Sequence, residues 1–278
     1  MDVLTKDEIK KLQLDLLYDF TSFCEKNGYK YSLAYGTLLG AVRHKGYIPW
    51  DDDIDIMMPR EDYLQALTHY KHDYYEADCI EKNCHYQGVW GVINDTRTFS
   101  KEGKKVPVPL YIDVFPMDQF PNAVMERFLI SLCEYVFLHF DSAATCTDTP
   151  SSHYLDQDAG ILHWKYYVRT AIKKIMVKLF TRTDGATWGR LANQLAVRYN
   201  GKKTKFMGDM FAGELLNKVY PVNLFDHMDK LMFEGRQYWC IHQYDAYLRN
   251  NYGDYMQLPP KEQQVGHHVY EFYWKEQH

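Results

Sequence analysis

The run Asp51-Asp52-Asp53-Ile54-Asp55-Ile56 constrains this chain more than any other segment. Its alternation of acid and isoleucine predicts a strand over 53–57, and successive strand side chains point to opposite faces. Asp53 and Asp55 then share one face, while Ile54 and Ile56 anchor the other in a core. Two close carboxylates repel each other, and holding them beside apolar packing is costly unless a cation lies between them. Mg2+ prefers one or two carboxylates together with substrate phosphate oxygens, so this pair supplies half of such a shell. The competing reading is an acidic surface turn. Interleaved isoleucines and the flanking Pro49-Trp50 fit it poorly.

A third carboxylate stands in Leu110-Tyr111-Ile112-Asp113-Val114-Phe115. A lone Asp inside an apolar strand needs a partner. Beside the first strand, Asp113 completes a triad and can accept a proton from an attacking hydroxyl; pairing with a buried Arg is the alternative. Asp118, beyond Pro116, reads as a helix or turn cap. Upstream, Tyr35-Gly36-Thr37 falls between a predicted short strand over 31–34 and a helix running through Leu38, Leu39, Ala41 and Val42. Gly lets the backbone approach a phosphate, Thr offers a hydroxyl, and a helix start offers free N–H groups. With Arg43-His44-Lys45 and the acid run following, the segment becomes a strand–turn–helix–strand unit carrying phosphate and metal chemistry.

The remaining pattern sets the architecture. Thr5-Lys6-Asp7-Glu8 predicts a capping box opening a helix that Asn27-Gly28 ends. Pro59 opens a helix to about residue 72, and strands are predicted over 89–93 and 110–115. Between 122 and 200 the periodicity turns helical (124–140, 161–180, 188–199), with a loop over 141–158; a further helix falls near 241–251. The expectation is an α/β (α+β) protein: one domain over 1–278, a mixed-sheet core interrupted by a helical insertion at 122–200. Composition is globular at 46% hydrophobic and 25% charged residues, which excludes disordered and coiled-coil classes. Lys+Arg 32 against Asp+Glu 37 gives a net charge of −5, so no nucleic-acid partner is expected. No stretch approaches the roughly 18 apolar residues of a membrane span. No signal peptide is read at the start of the chain, and a cytoplasmic location is expected. Six scattered cysteines read as reduced core residues; a zinc site from Cys79, Cys84 and His85, or from Cys240 and His242, is the weaker alternative.

The segments 35–44 (Tyr-Gly-Thr-Leu-Leu-Gly-Ala-Val-Arg-His) and 46–55 (Gly-Tyr-Ile-Pro-Trp-Asp-Asp-Asp-Ile-Asp) closely resemble the LicD family, to which fukutin-type enzymes are related. Ile112-Asp113-Val114-Phe115-Pro116 resembles its second block, and Asn251-Tyr252-Gly253-Asp254-Tyr255-Met256 with Leu258-Pro259-Pro260 and His267-His268 its third. The resemblance implies a nucleotidyltransferase-like fold and Mg2+-dependent (or Mn2+-dependent) transfer of phosphocholine from CDP-choline. The acceptor it implies is a sugar hydroxyl of a lipid-linked cell-surface glycan of teichoic acid or lipopolysaccharide type. By the same resemblance Gly36-Thr37 is the glycine motif, Asp53 and Asp55 are the metal carboxylates, and Asp113 is the third acid. Arg43, His44 and Arg97 are candidates to hold diphosphate oxygens, with membership of a surface ion pair the alternative for each. His267 and His268 are expected to order structure or orient substrate rather than bind metal, since adjacent side chains on an extended chain point apart.

The 24 tyrosines and the tryptophans leave aromatic rings for a quaternary ammonium group; Trp50 and Trp90 are the first candidates. Another phospho-alcohol (phosphoethanolamine or a polyol phosphate) and a catalytically silent nucleotide-binding scaffold are the alternatives. The stretch 161–182 carries Lys165, Arg169, Lys173, Lys174, Lys178 and Arg182 beside Trp164, Tyr166 and Tyr167, and no acid. Such a helix can lie on an anionic leaflet at the inner face of the membrane, or pack on a core with a solvated basic face.

Overall fold

The computed structural model describes residues 3–86, 88–100, 107–145, 175, 178–179, 185–211, 218–264 and 271–275. Helix α1 (Lys6–Asn27) starts at the expected capping box. The Glu8 N–H donates to Thr5 Oγ1 (3.3 Å), and the Thr5 N–H donates to Glu8 Oε2 (2.8 Å). It ends at Gly28, whose φ of 76° suits the left-handed stop. Leu12, Leu16, Leu17, Phe20 and Cys24 form its buried face. The chain continues through β1 (Ser32–Leu33), α2 (Tyr35–Arg43), β2 (Asp55–Pro59), α3 (Arg60–His69), β3 (Tyr75–Asp78), β4 (Gly91–Ser100) and β5 (Val108–Phe120).

The fold is a mixed α/β one. Strands run in the order β1-β2-β5-β4, with β3 also on β4. Every pairing is antiparallel except β2 with β5, which is parallel and places Asp55 opposite Asp113. The expected placement of Asp113 beside the acid run therefore stands. The strand itself begins later than expected, at Asp55 rather than Asp53. A strand would send Asp52 to the face opposite Asp51 and Asp53, yet ligand atoms of all three lie within 4.8 Å of one another. The segment instead turns, with the Asp51 N–H donating to Ile48 O (2.9 Å).

Strand β5 also runs on through Pro116. The Asp113 N–H donates to Ile54 O, so by alternation the nitrogen of residue 116 faces the β4 side. There β4 has already ended, because Gly91 pairs with Val114. A missing N–H at Pro116 thus costs no ladder bond. Beyond it, Asp118–Phe120 pair with β6 (Phe206–Gly208), which in turn pairs with β7 (Tyr220–Pro221). Asp118 is consequently not a cap. It is fully buried and takes both Nε (2.8 Å) and Nη2 (2.5 Å) of Arg60, whose Nη1 also reaches Glu81 (2.5 Å) and Asn193 (3.1 Å). The buried arginine weighed as a partner for Asp113 belongs to Asp118.

Helices α4 (Val124–Thr145) and α5 (Gly185–Ala196) pack together over a second apolar cluster that includes Phe120, Ile130, Ala192 and Phe211. Most of the basic stretch 161–182 lies outside the described residues. The last third adds the hairpin β8 (Met228–Phe233) and β9 (Arg236–Ile241), helix α6 (Tyr244–Tyr252), and β10 (Tyr273–Trp274) on the edge of β4. Glu234 and Gly235 at the hairpin tip have φ of 47° and 79°, the primed turn that matches strand twist. The tip docks on the loop before the acid run, as the Glu234 N–H donates to Lys45 O and the Tyr47 N–H to Glu234 Oε1, both at 3.0 Å.

One group in α4 is at odds with its surroundings. Glu134 is buried, and neither of its side-chain oxygens has a hydrogen-bond partner among the described residues. Burial, and then Asp118 and Asp209, push its pKa up to about 9. Between its ordinary value of 4.5 and that raised value, the folded state holds a proton that the unfolded state has lost. Stability therefore falls as pH rises through this window. Glu134→Met is expected to stabilise the protein by about 1–3 kcal/mol at pH 8, the cost of an unsatisfied buried polar group. The gain should shrink below pH 5 in urea unfolding; a gain that does not vary with pH would contradict the assignment.

Candidate functional site

Thr37 joins the two halves of the unit expected from the sequence. Its buried Oγ1 accepts the N–H of Asp55 (2.8 Å), tying the start of α2 to the head of β2. This places Gly36 against the acid loop. A Cβ on Gly36 would lie 2.5 Å from Asp51 Oδ2, closer than real Cβ contacts come, so only glycine lets the carboxylate close on the backbone. From α1, Gln13 Nε2 donates to Asp52 O (3.0 Å) while Tyr47 donates its hydroxyl proton to Gln13 Oε1 (3.2 Å). The acid loop is held from both sides.

A cavity of about 650 Å³ opens over this loop, lined by Tyr35, Gly36, Arg43, Trp50, Asp51, Asp53 and Asp55 on one side. Tyr252, Asp254, Tyr255 and the 257–260 segment form the other. Asp55 and Asp113 are only 7% and 8% exposed. Burial, and then Asp53, Asp113 and Asp51, raise the Asp55 pKa well above the usual carboxylate range. Burial and Asp53 bring Asp51 up to about 7. Such a set is uncomfortable as bare anions and is all oxygen, the donor chemistry that Mg2+ and Mn2+ prefer. The residues therefore fit a divalent cation.

The other expected site residues separate. Arg43 lines the cavity and donates from Nη1 to Tyr255 O (2.7 Å), linking α2 to the opposite wall. His44 does not line it; its ring meets Trp50 edge-on at 6.5 Å, and burial followed by Arg43 lowers its pKa. Arg97 is placed elsewhere on β4, its fork closed on Asp95 (2.8 and 2.5 Å) and its guanidinium 3.9 Å from the ring centre of Tyr74. His267 and His268 lie outside the described residues. Trp90 is not on the cavity wall. Its Nε1–H donates to Asp113 Oδ1 (2.5 Å), and the Tyr86 hydroxyl donates to its carbonyl (2.9 Å).

Two further acids belong to the site. Asp51 is visible in the acid run, where alternation gives it no role. Asp209 carries no local signal: a lone acid after β6, it is fully buried behind Tyr35. Asp209 accepts the Tyr35 hydroxyl proton (2.6 Å) and the Phe211 N–H (2.7 Å), with burial raising its pKa to about 6. Tyr35 has a φ of 41°, a left-handed backbone that a bulky residue adopts only when its surroundings hold it there. The bond to Asp209 and the edge contact with Phe115 at 5.1 Å do so.

Fold and site together define the class: a mixed α/β protein whose cavity is built round clustered carboxylates at the head of a parallel strand pair. The family model described as LicD/FKTN/FKRP, nucleotidyltransferase domain, matches residues 28–132, which span β1, α2, the acid loop, β2 and β5. Over 283 residues, covering 98% of this chain and 99% of the relative, the sequence is 30% identical to the lipopolysaccharide cholinephosphotransferase LicD of Haemophilus influenzae. It is also 38% identical over 135 residues to an uncharacterized protein of Rickettsia typhi, covering 47% of this chain and 41% of that one. The chain belongs to the LicD family. Among the described residues, no helix is long and apolar enough to cross a membrane.

Proposed function

We propose that this protein transfers phosphocholine from CDP-choline to a sugar hydroxyl of a lipid-linked cell-surface glycan precursor, of lipopolysaccharide or teichoic acid type, releasing CMP. The observation that carries the reading is the convergence of Asp51, Asp53, Asp55 and Gly36 on one cavity, with Asp113 in register beside Asp55. The near full-length similarity to a cholinephosphotransferase and the description of the matching family model support it.

Asp51, Asp53 and Asp55 would hold the Mg2+, with Asp113 beside them. When bound, the ion neutralises charge on the diphosphate as the bond to CMP breaks. Gly36 makes room for the Asp51 carboxylate on the cavity wall, and Arg43 offers a guanidinium to the donor's phosphate oxygens. The acceptor oxygen attacks the choline-bearing phosphorus. A new O–P bond forms there while the P–O bond to CMP breaks. The acceptor's proton passes to a carboxylate oxygen of Asp113, which Trp90 holds in place. The acceptor would be met at the inner face of the membrane.

Incubating the protein with CDP-choline, CDP-ethanolamine and a CDP-polyol, and following CMP release with and without acceptor, tests the reading. Release should be fastest with CDP-choline and depend on acceptor. Faster release from either other donor, or none from CDP-choline, would overturn it.

A further inference from the structure

The outer wall of the cavity carries rings and a charge that the diphosphate chemistry leaves unused. Tyr252 closes α6 and is 43% exposed. Among the described residues its ring has no aromatic partner and its hydroxyl no hydrogen bond. Across the cavity, Trp50 meets one other ring there, the edge of His44. Asp254, two residues beyond Tyr252, lines the same wall, is exposed, and has no side-chain hydrogen bond or ion pair among the described residues. By contrast, Tyr255 is tied down: its hydroxyl donates to Asp245 (2.7 Å) and its carbonyl accepts Arg43. The unattached groups therefore sit on a fixed wall.

Charge says what they suit. Four carboxylates (Asp51, Asp53, Asp55, Asp254) and one cationic side chain, Arg43, line the cavity. A metal and the donor's diphosphate account for the first three. Asp254 remains: Arg249 acts on it but is itself bonded to Asp245 (2.9 Å), and among the donor's groups a carboxylate suits a positive end or a hydroxyl or amine that donates to it. A quaternary ammonium has no N–H to donate, so it is recognised by π faces and by uncompensated negative charge. Its two-carbon link to phosphorus requires those faces close to the metal acids. Tyr252 meets this, because it lines the same cavity as Asp51, Asp53 and Asp55. A stacked cytosine would use the rings and offer its exocyclic amine to Asp254, so the CMP affinity of the variants is what separates that occupant from a quaternary ammonium. Trp90, the other aromatic candidate, is committed to Asp113 and off the wall.

We propose that Tyr252, Trp50 and Asp254 form the box that receives the quaternary ammonium of the transferred group and so sets which phospho-alcohol is moved. The proposal rests on the phosphocholine reading above. The test compares kcat/KM for CDP-choline with that for CDP-3,3-dimethylbutanol, which has the same shape but carbon in place of nitrogen. The dissociation constant of CMP is measured alongside. Wild type should prefer CDP-choline by roughly tenfold or more, as a desolvated cation–π contact implies. Tyr252→Leu and Asp254→Asn should each erase most of that preference with CMP affinity unchanged, while Tyr252→Phe, which keeps the ring face, should retain it. Unchanged preference in both Tyr252→Leu and Asp254→Asn would overturn the box. So would an equal loss of CMP affinity in Tyr252→Leu, which would make the ring a base platform. If wild type turns over another CDP-alcohol but not CDP-choline, the parent reading fails and the box with it; the variant arms separate that failure from failure of the box alone.

Discussion

Asp53→Asn and Asp55→Asn are each expected to lower transfer by on the order of 10³-fold or more, the scale seen when one member of a concerted catalytic set is removed. An amide is a poor Mg2+ ligand, and Asp52, the further acid of the cluster, does not line the cavity and so does not replace either residue. The fold should survive, and for Asp55 the sign of the stability change is diagnostic. Its buried carboxyl is raised well above the ordinary carboxylate range by burial and by its acidic neighbours. In the metal-free protein it therefore weakens the folded state as pH rises from about 4. Asp55→Asn removes that penalty, so at pH 8 without metal the variant should melt no lower than wild type. A variant that loses activity only because it unfolds would melt lower, and near-normal turnover at saturating Mg2+ would place the metal elsewhere.

Asp113→Asn should behave differently. A positioned base contributes about 10²–10⁴-fold to the rate, and that loss should appear in kcat with donor affinity nearly unchanged. The replacement keeps a side-chain oxygen to accept the Trp90 indole N–H. Equal losses in kcat and in CDP-choline binding would make Asp113 a ligand of the donor complex instead.

Much of this site is legible in the residues because alternation is a strong signal. Acids interleaved with isoleucines imply one polar and one buried face, and that strand pairs with the one holding Asp113. What alternation cannot show is where a strand starts. Asp51, Asp52 and Asp53 gather by leaving the strand, and a period-two reading has no term for that. Asp118 and Asp113 sit five residues apart on one strand, and which of them holds the buried Arg60 is decided by α3 packing, not by local pattern. Arg97 shows the opposite limit: a basic residue near an active site in sequence lies on a stretch of β4 where Asp95 consumes its charge. Asp209 depends wholly on tertiary structure, since only the fold brings it beneath Tyr35.

The central claim is that the acid cluster moves a phosphocholine group intact onto a hydroxyl in a metal-dependent step. The most direct measurement is ³¹P NMR of the protein with CDP-choline and a glycan acceptor, with Mg2+ and then with excess chelator. The account predicts that the diphosphate signals give way to CMP and a new phosphodiester in equal amounts, and that chelator stops both. Free phosphocholine as the product, or phosphodiester formation that continues under chelator, would contradict it.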